Sequence, residues 1–332
     1  MVAAALAGGA GASQTVPKES VSACALLLQR LPGVRAEQCE AARLTPSGAR
    51  SRLGTALYWR DILPQRPDID TLRVLVVGAM HGDELTAASL ALRWIGMAAA
   101  EGAVDADEPA PVHWRFIPVL NPDGLLAPKP TRVNAGGVDL NRNFPTPGWA
   151  EEAPVYWEKR TRKDPRRWPG HTPLSEPESR FLHQQMDQFQ PQLVVSIHAP
   201  YGVLDFDGPH DPPLRLGRLR MDKLGVFPGS LGHYGGLHRG VPVVTIELEH
   251  ALRMPPDAEV RAMWRDLRAG FEALLGQPRP PRVLIVQGEG GSFVAGGDIE
   301  EFPRFRFDPA TLADFHEEKI GRASCRERVS SP

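Results

Sequence analysis

Four runs of mostly apolar residues are the sequence feature that most constrains the fold of this chain. Each is short enough for a single strand, and stretches with helical periodicity follow the first and the last of them. Strands without an apolar–polar alternation are buried on both faces, which is typical of a parallel sheet covered by helices. We therefore predict an α/β fold with a doubly wound, mostly parallel mixed sheet and helices on both faces. The four runs are residues 73–77, 113–120, 193–197 and 241–246, and the helical stretches are 85–95 and 257–276.

The charge balance excludes several classes of protein. The 332 residues include 38 Lys+Arg and 40 Asp+Glu, so the net charge is −2. This balance lacks the positive charge that nucleic-acid binding requires, and no nucleic-acid partner is expected. No apolar run approaches the roughly 20 residues of a transmembrane helix, so we expect no membrane span.

Two short motifs predict how elements begin and end. Ser175-Glu-Pro-Glu178 has the form of a capping box, which predicts a helix with Ser175 as its N-cap. Asn121-Pro-Asp-Gly124 predicts a turn after the second apolar run.

Histidine and glutamate side chains follow two of the predicted strands. His81-Gly-Asp-Glu84 comes after the first run, and His198 follows the third. In open α/β sheets, ligands bind beyond the carboxyl ends of the strands. Two histidines and one carboxylate are a common ligand set of catalytic zinc, with a fourth position open to water. The pattern is compatible with a zinc site, but His-x-x-Glu also arises by chance among ten histidines, so the motif alone does not predict a metal.

A further pair of motifs is more specific. Gly137-Val-Asp-Leu-Asn-Arg-Asn-Phe-Pro145 follows the second strand, and Thr245-Ile-Glu-Leu248 ends the fourth. Together with the histidines and glutamate, these motifs resemble the zinc carboxypeptidase family, the carboxypeptidase A-like metallopeptidases, and within it the murein peptide amidase A branch. The resemblance covers roughly residues 45–275.

The resemblance implies a catalytic role for several residues. His81, Glu84 and His198 match the zinc ligands of the family, so the resemblance implies one Zn²⁺ per chain. Glu247 matches its catalytic carboxylate, and the nearby Glu249 is the rival for that role.

Other matching residues are implied to contact the substrate. Asn141 and Arg142 match the pair that holds the terminal carboxylate, for which the planar donors of arginine are suited. Arg132 matches the arginine that polarises the scissile carbonyl. Tyr234 is a candidate for the mobile tyrosine of the family.

The implied activity is zinc-dependent hydrolysis of a C-terminal amide bond in a murein peptide or another short peptide. The branch implies the γ-D-glutamyl–meso-diaminopimelate bond. A general metallocarboxypeptidase and a succinylglutamate desuccinylase- or aspartoacylase-like amidohydrolase stay open as alternatives. A non-enzymatic peptidoglycan-binding relative is disfavoured because the ligands and the base are all present. Asp205 and Asp207 either bind the ammonium group of diaminopimelate or are solvated loop residues.

The N-terminal segment, residues 1–44, precedes the expected catalytic domain at 45–276. It starts like a truncated export signal and continues into a short helix with Cys24 and Cys39. A disulfide between these cysteines would indicate an oxidising compartment such as the bacterial periplasm, whereas two free thiols would suit the cytoplasm.

The C-terminal residues differ from the rest of the chain. Residues 277–318 resemble a fragment of the enoyl-CoA hydratase/isomerase family, too short to have an activity of its own. Residues 319–332 resemble a translated sequencing adapter, and we expect them to be an artefact.

Overall fold

A computed structural model of the chain describes residues 22–64, 71–101, 111–209 and 213–276. The chain divides into two units, residues 1–277 and 278–332. The second unit lies outside the described residues, and so do the predicted export signal, the enoyl-CoA hydratase-like fragment and the adapter-like tail.

Nine strands form two sheets in the part of the chain that the structure describes. They are β1 (Thr45–Arg50), β2 (Ala56–Ile62), β3 (Leu72–Val77), β4 (Val112–Ile117), β5 (Leu193–His198), β6 (Val203–Asp207), β7 (Arg215–Leu216), β8 (Leu219–Arg220) and β9 (Val243–Glu247). The main sheet has the order β1-β2-β4-β3-β5-β9-β6, and β7 pairs with β8. The four apolar runs form its centre, β4-β3-β5-β9, and pair in parallel. At the two edges β1 pairs antiparallel with β2, β2 with β4, and β6 with β9.

Among the described residues, seven α-helices accompany the sheet. They are α1 (Ala23–Leu27), α2 (Ala36–Ala41), α3 (Leu85–Glu101), α4 (Pro122–Leu126), α5 (Trp149–Val155), α6 (Pro177–Phe189) and α7 (Asp257–Gly276). Short 3₁₀ turns lie at Leu140–Arg142 and Pro165–Arg167, and π-helical turns at Tyr156–Arg160 and His233–His238. None of the described helices combines the length and the apolar character that crossing a membrane requires.

The central strands are buried on both faces because alternate side chains enter two different cores. Val74 and Val76 of β3 join the core that contains α3 and α7, where the Trp94 and Trp264 rings lie 5.5 Å apart. Leu75 of β3 joins the core on the opposite face, which contains the apolar side of α6. This arrangement confirms the predicted α/β fold with helices on both faces.

The predicted capping box at the start of α6 is wrong. The N-cap is Glu176, and no side chain caps the helix. The Ser175 hydroxyl donates instead to the Glu176 carboxylate at 3.0 Å. Glu178 accepts from the Asn134 side-chain amide at 3.0 Å and from the Arg52 backbone N–H at 2.9 Å, so tertiary partners replace the local cap.

The predicted turn at residues 121–124 is a short helix. The Asn121 side chain accepts a hydrogen bond from the Gly124 N–H at 2.9 Å and caps α4. Proline at the first helical position suits a helix start as well as a turn, which explains the ambiguity of the motif.

The N-terminal helices α1 and α2 are joined by a disulfide between Cys24 and Cys39. Both cysteines are buried in the core that contains α3 and α7. The described part of the N-terminal segment therefore shares a core with the residues that follow it.

Candidate active site

His81, Glu84 and His198 meet at the carboxyl ends of β3 and β5. The Nδ1 atoms of the two histidines are 3.1 Å apart. Glu84 Oε1 lies 2.8 Å from His81 Nδ1, and Glu84 Oε2 lies 3.0 Å from His198 Nδ1. All three side chains are buried. The fold thus brings the three predicted metal ligands together from two neighbouring strand ends.

The outer nitrogens of both histidines have partners of their own. His81 Nε2 lies 3.1 Å from Asp139 Oδ1, and His198 Nε2 lies 2.9 Å from the Ser196 hydroxyl. Burial opposes ionisation of Asp139, but the charges of Arg132 and His81 outweigh it and hold the pKa of Asp139 well below its usual range. An ionised Asp139 favours the proton on His81 Nε2, which leaves the Nδ1 lone pair for a metal.

This donor set fits zinc. Two imidazole nitrogens and one carboxylate converge, with ligand atoms all within 4.8 Å of one another. Lone pairs of nitrogen and oxygen this close together repel one another unless a proton or a metal cation lies between them. Three protein ligands would leave a fourth position on zinc for water or substrate.

Glu247 is the last residue of β9 and lies in register with His198 of β5. Its carboxylate accepts the Tyr201 backbone N–H, while Oε2 is buried with no hydrogen-bond partner in the described part of the chain. Burial, reinforced by the negative charge of Glu84, raises the pKa of Glu247 to about 8. Glu249, the rival for the same role, is exposed. Of the two candidates, only Glu247 is buried beside the three converging side chains.

Arg132 is buried against the same group. Its Nη1 atom lies 3.4 Å from Glu84 Oε1, and its Nε atom lies 3.1 Å from Asp139 Oδ2. The guanidinium thus places a fixed positive charge next to a metal ligand and next to the carboxylate that orients His81.

Arg142 is a buried guanidinium without a carboxylate partner among the described residues. Its Nη1 donates to the Asn141 carbonyl at 2.6 Å, whereas Nε has no partner in that part of the chain. Burial is the main reason that the pKa of Arg142 falls to about 10. The guanidinium lies 4.5 Å over the Phe227 ring. A buried cation of this kind is costly unless an anionic ligand pairs with it.

Asn141 lies beside Arg142 in a 3₁₀ turn that begins after Asp139. The Asp139 carboxylate accepts the Asn141 N–H at 3.0 Å, and the Asn141 side-chain oxygen accepts the Leu231 N–H at 2.8 Å. One carboxylate therefore orients both the His81 ring and the turn that carries Arg142.

Comparison with known proteins identifies the family of the chain. Residues 66–207 match the family described as Peptidase_M14, zinc carboxypeptidase. A murein peptide amidase A from Vibrio campbellii is 30% identical over 223 residues, which cover 62% of this chain and 79% of that protein. This chain belongs to the zinc carboxypeptidase family.

Two further comparisons extend this result. A murein peptide amidase A from Escherichia coli K12 is 34% identical over 161 residues, 47% of this chain, and the alignment spans only 59% of that relative. A crystal structure of carboxypeptidase A from Helicoverpa armigera superposes with a TM-score of 0.57 at 18% identity, covering 74% of this chain and 73% of the other. The insect structure shows that the two chains share the zinc carboxypeptidase fold.

Tyr234, a predicted site residue, makes its contacts away from the metal-ligand group. Its ring is buried and stacks on Phe144 at 5.7 Å and on His183 at 5.5 Å. Its hydroxyl accepts a hydrogen bond from Arg239 at 2.8 Å. In this structure its side chain belongs to a core, and none of its described contacts is with the metal ligands or Arg142.

Several residues at this zinc carboxypeptidase site were not predicted. Asp139 lies inside the Asp-Leu-Asn-Arg motif, which could have pointed to it. Ser196 precedes His198 by two positions, so the alternation of side chains along a strand places Ser196 and His198 on the same face of the sheet. Phe227 comes from a loop, and only the folded chain shows that it lies against Arg142.

Proposed function

We propose that this zinc carboxypeptidase-family protein is an amidase that hydrolyses the γ-D-glutamyl–meso-diaminopimelate bond of murein peptides. The observation that carries the hydrolytic part is the unpaired Glu247 oxygen beside three converging zinc ligands. The relatives named murein peptide amidase A support the choice of substrate.

Each residue of the site has a defined task in this reaction. Bound zinc would lower the pKa of a water molecule toward neutrality and polarise the scissile carbonyl. Glu247 accepts a proton from the attacking water and passes it to the leaving amine. Arg132 supplies positive charge where negative charge develops on the carbonyl oxygen.

Arg142 explains why cleavage is confined to the end of a peptide. The terminal carboxylate of the released residue gives the buried guanidinium the anionic partner that it otherwise lacks. Binding at Arg142 fixes the distance from this carboxylate to the scissile bond, so only the last amide reaches Glu247.

The side chain of the released residue is proposed to face β6. Asp205 and Asp207 are in register with Thr245 and Val243 of β9, on the sheet face that also carries Glu247. The Asp205 carboxylate accepts the backbone N–H groups of Phe206 and Leu224, whereas the Asp207 carboxylate accepts no hydrogen bond within the described residues. Asp207 is therefore the better candidate for the side-chain ammonium of diaminopimelate.

A panel of three substrates tests this proposal. The full chain, loaded with zinc, is incubated with L-Ala-γ-D-Glu-meso-diaminopimelate, with an N-blocked dipeptide ending in an aromatic residue, and with N-succinylglutamate. Mass spectrometry identifies the product, and free diaminopimelate with both other compounds intact is the expected result. Release of the aromatic residue would indicate a general carboxypeptidase, and release of succinate would indicate a small-molecule amidohydrolase.

We also propose that the protein works in an oxidising compartment, in keeping with a periplasmic cell-wall enzyme. The pairing of Cys24 with Cys39 supports this location, since disulfides are rare in the reducing cytosol. Fractionation of cells that express the full chain, with thiol labelling of the two cysteines, tests it. A cytoplasmic protein with both thiols free would contradict the proposal.

A further inference from the structure

A strongly basic segment, residues 159–167, lies at the mouth of the site. It contains six Lys or Arg residues in nine positions and only one acidic residue, Asp164. This basic segment lies in the long connection between β4 and β5, and the proposed reaction uses none of its residues.

Two contacts fix the end of the basic segment to the residues around the proposed zinc ligands. Arg166 forms a 2.8 Å ion pair with Asp83, which lies between His81 and Glu84 in the sequence. The Trp168 carbonyl accepts the Asp139 N–H at 2.8 Å. These contacts hold Arg167, which stands between Arg166 and Trp168, next to the site.

Arg167 differs from Arg166 because no carboxylate pairs with it in the described part of the chain. It is half-buried, and its Nη2 lies 3.5 Å from the Tyr201 hydroxyl. The backbone N–H of the same Tyr201 donates to the catalytic Glu247. Arg167 also lies within electrostatic range of Arg142 and disfavours its charged form. Two guanidinium groups without carboxylate partners thus belong to one site.

The chemistry of a γ-glutamyl amide matches this pair of cations. Its terminal residue carries a carboxylate on the leaving side, which Arg142 accepts under the proposed function. Because the amide is formed from the side-chain carboxyl, the glutamyl residue keeps a free α-carboxylate on the acyl side. An ordinary α-peptide bond has no such group near the bond that is cleaved. A second carboxylate on the substrate therefore matches a second cation at the same site.

We propose that Arg167 determines specificity by binding the α-carboxylate of the γ-linked acyl residue. This inference rests on the proposed function, since it assumes a γ-glutamyl substrate. Arginine binds a carboxylate through parallel N–H donors, so the contact selects for the acid over its neutral amide. Tyr201 positions the guanidinium through its hydroxyl.

The test compares two tripeptides that differ in one group. One is L-Ala-γ-D-Glu-meso-diaminopimelate, and the other has the glutamyl α-carboxylate converted to the amide. We expect the wild-type protein to favour the acid in kcat/KM by about tenfold, mainly through KM. Arg167→Gln should cleave both compounds at nearly equal rates, and Arg167→Lys should retain part of the preference.

Arg160→Gln is the matched control because it removes one exposed charge from the same basic segment. It should keep the wild-type preference, while zinc content and thermal unfolding stay unchanged in all variants. A wild-type protein that cleaves both tripeptides equally, or an Arg167→Gln variant that still prefers the acid, would overturn the inference alone. Cleavage of neither tripeptide would overturn the proposed function together with it.

Discussion

Single side chains decide the chemistry of this site through their burial and their missing partners. Glu247 and Arg142 are both buried, each with one polar atom that lacks a partner in the described residues. Leaving such atoms unpaired costs folding free energy, about 1–3 kcal/mol for a neutral group and more for a charged one. Under the proposed function, water supplies the missing partner of Glu247 and the substrate carboxylate supplies that of Arg142.

Glu247→Gln should keep zinc and lose activity. The amide preserves the size of the side chain but cannot accept the proton, so kcat should fall by about 10²–10⁴. Steady-state assays with metal analysis on the same samples check this. Near wild-type turnover with full zinc occupancy would remove Glu247 from the mechanism and return attention to Glu249.

Asp207→Asn should stabilise the protein in a pH-dependent manner. Burial, reinforced by the charge of Asp205 and opposed by Lys223, raises the pKa of Asp207 from 3.8 to about 6. Because the folded pKa lies above the unfolded one, the ionised group destabilises the fold above pH 6, and the penalty vanishes as the pH falls toward 4. After allowance for solvent screening, the gain at pH ~7.5 should be about 1 kcal/mol.

Urea unfolding of wild type and Asp207→Asn at several pH values measures this gain. Asp222→Asn, a substitution at an exposed neighbour, is the control and should change little at any pH. An equal gain for Asp207→Asn at pH ~4 and ~7.5 would show that ionisation is not its cause.

At the scale of elements, strand register and close backbone packing set the geometry of the site. The register of β5 and β9 puts His198 beside Glu247. Gly82, between His81 and Glu84, packs against the backbone of α4, where an added Cβ would lie 2.3 Å from the Gly124 carbonyl carbon. The loop that carries His81 and Glu84, two of the proposed zinc ligands, therefore has no room for a side chain at this position.

Gly82→Ala should weaken zinc binding and stability together. The clash is with backbone atoms, so the loop must move, and we expect a loss of about 2–3 kcal/mol. Gly96→Ala is the matched control because nothing lies within 4 Å of its added Cβ in α3. It should be neutral or stabilising by up to about 1 kcal/mol. Competitive zinc titration measures the zinc affinity of both variants, and thermal unfolding measures their stability.

The sequence predicts the central elements well and the edges poorly, for a physical reason. Continuous apolar runs identify β3, β4, β5 and β9 because strands buried on both faces need them. The edge strands β1 and β6 contain Thr, Ser, Gly, Arg and Asp, and only their pairing partners make them strands. The capping box predicted at Ser175 is wrong for a similar reason. Its Glu178 side chain bonds instead to Asn134 and Arg52, which are distant in sequence.

At the scale of the whole molecule, the N-terminal helices and the catalytic core stabilise one another. Leu27, Leu31 and Cys39 pack in the same core as α3.

The convergence of His81, Glu84 and His198 was predictable because their residue types and family motif are specific. The position of Tyr234 was not, because a tyrosine in a glycine-rich stretch serves a pocket and a core equally well.

Removing the disulfide should destabilise the whole domain. Cys24 and Cys39 are 15 positions apart, and closing a loop of this length stabilises a protein by about 3 kcal/mol through the unfolded chain. The Cys24→Ser, Cys39→Ser double variant should therefore unfold at a temperature several degrees below that of the wild type. A reducing agent should lower the melting temperature of the wild type and leave that of the double variant unchanged. Equal melting temperatures with and without reductant would contradict this account.

The most direct test of the central claim measures zinc and product in one experiment. The full chain is stripped with a chelator and titrated with zinc, while mass spectrometry follows diaminopimelate released from L-Ala-γ-D-Glu-meso-diaminopimelate. The account predicts no release from the stripped protein and full recovery at one zinc per chain, held by His81, Glu84 and His198. Release that persists without metal, or none when one zinc is bound, would contradict it.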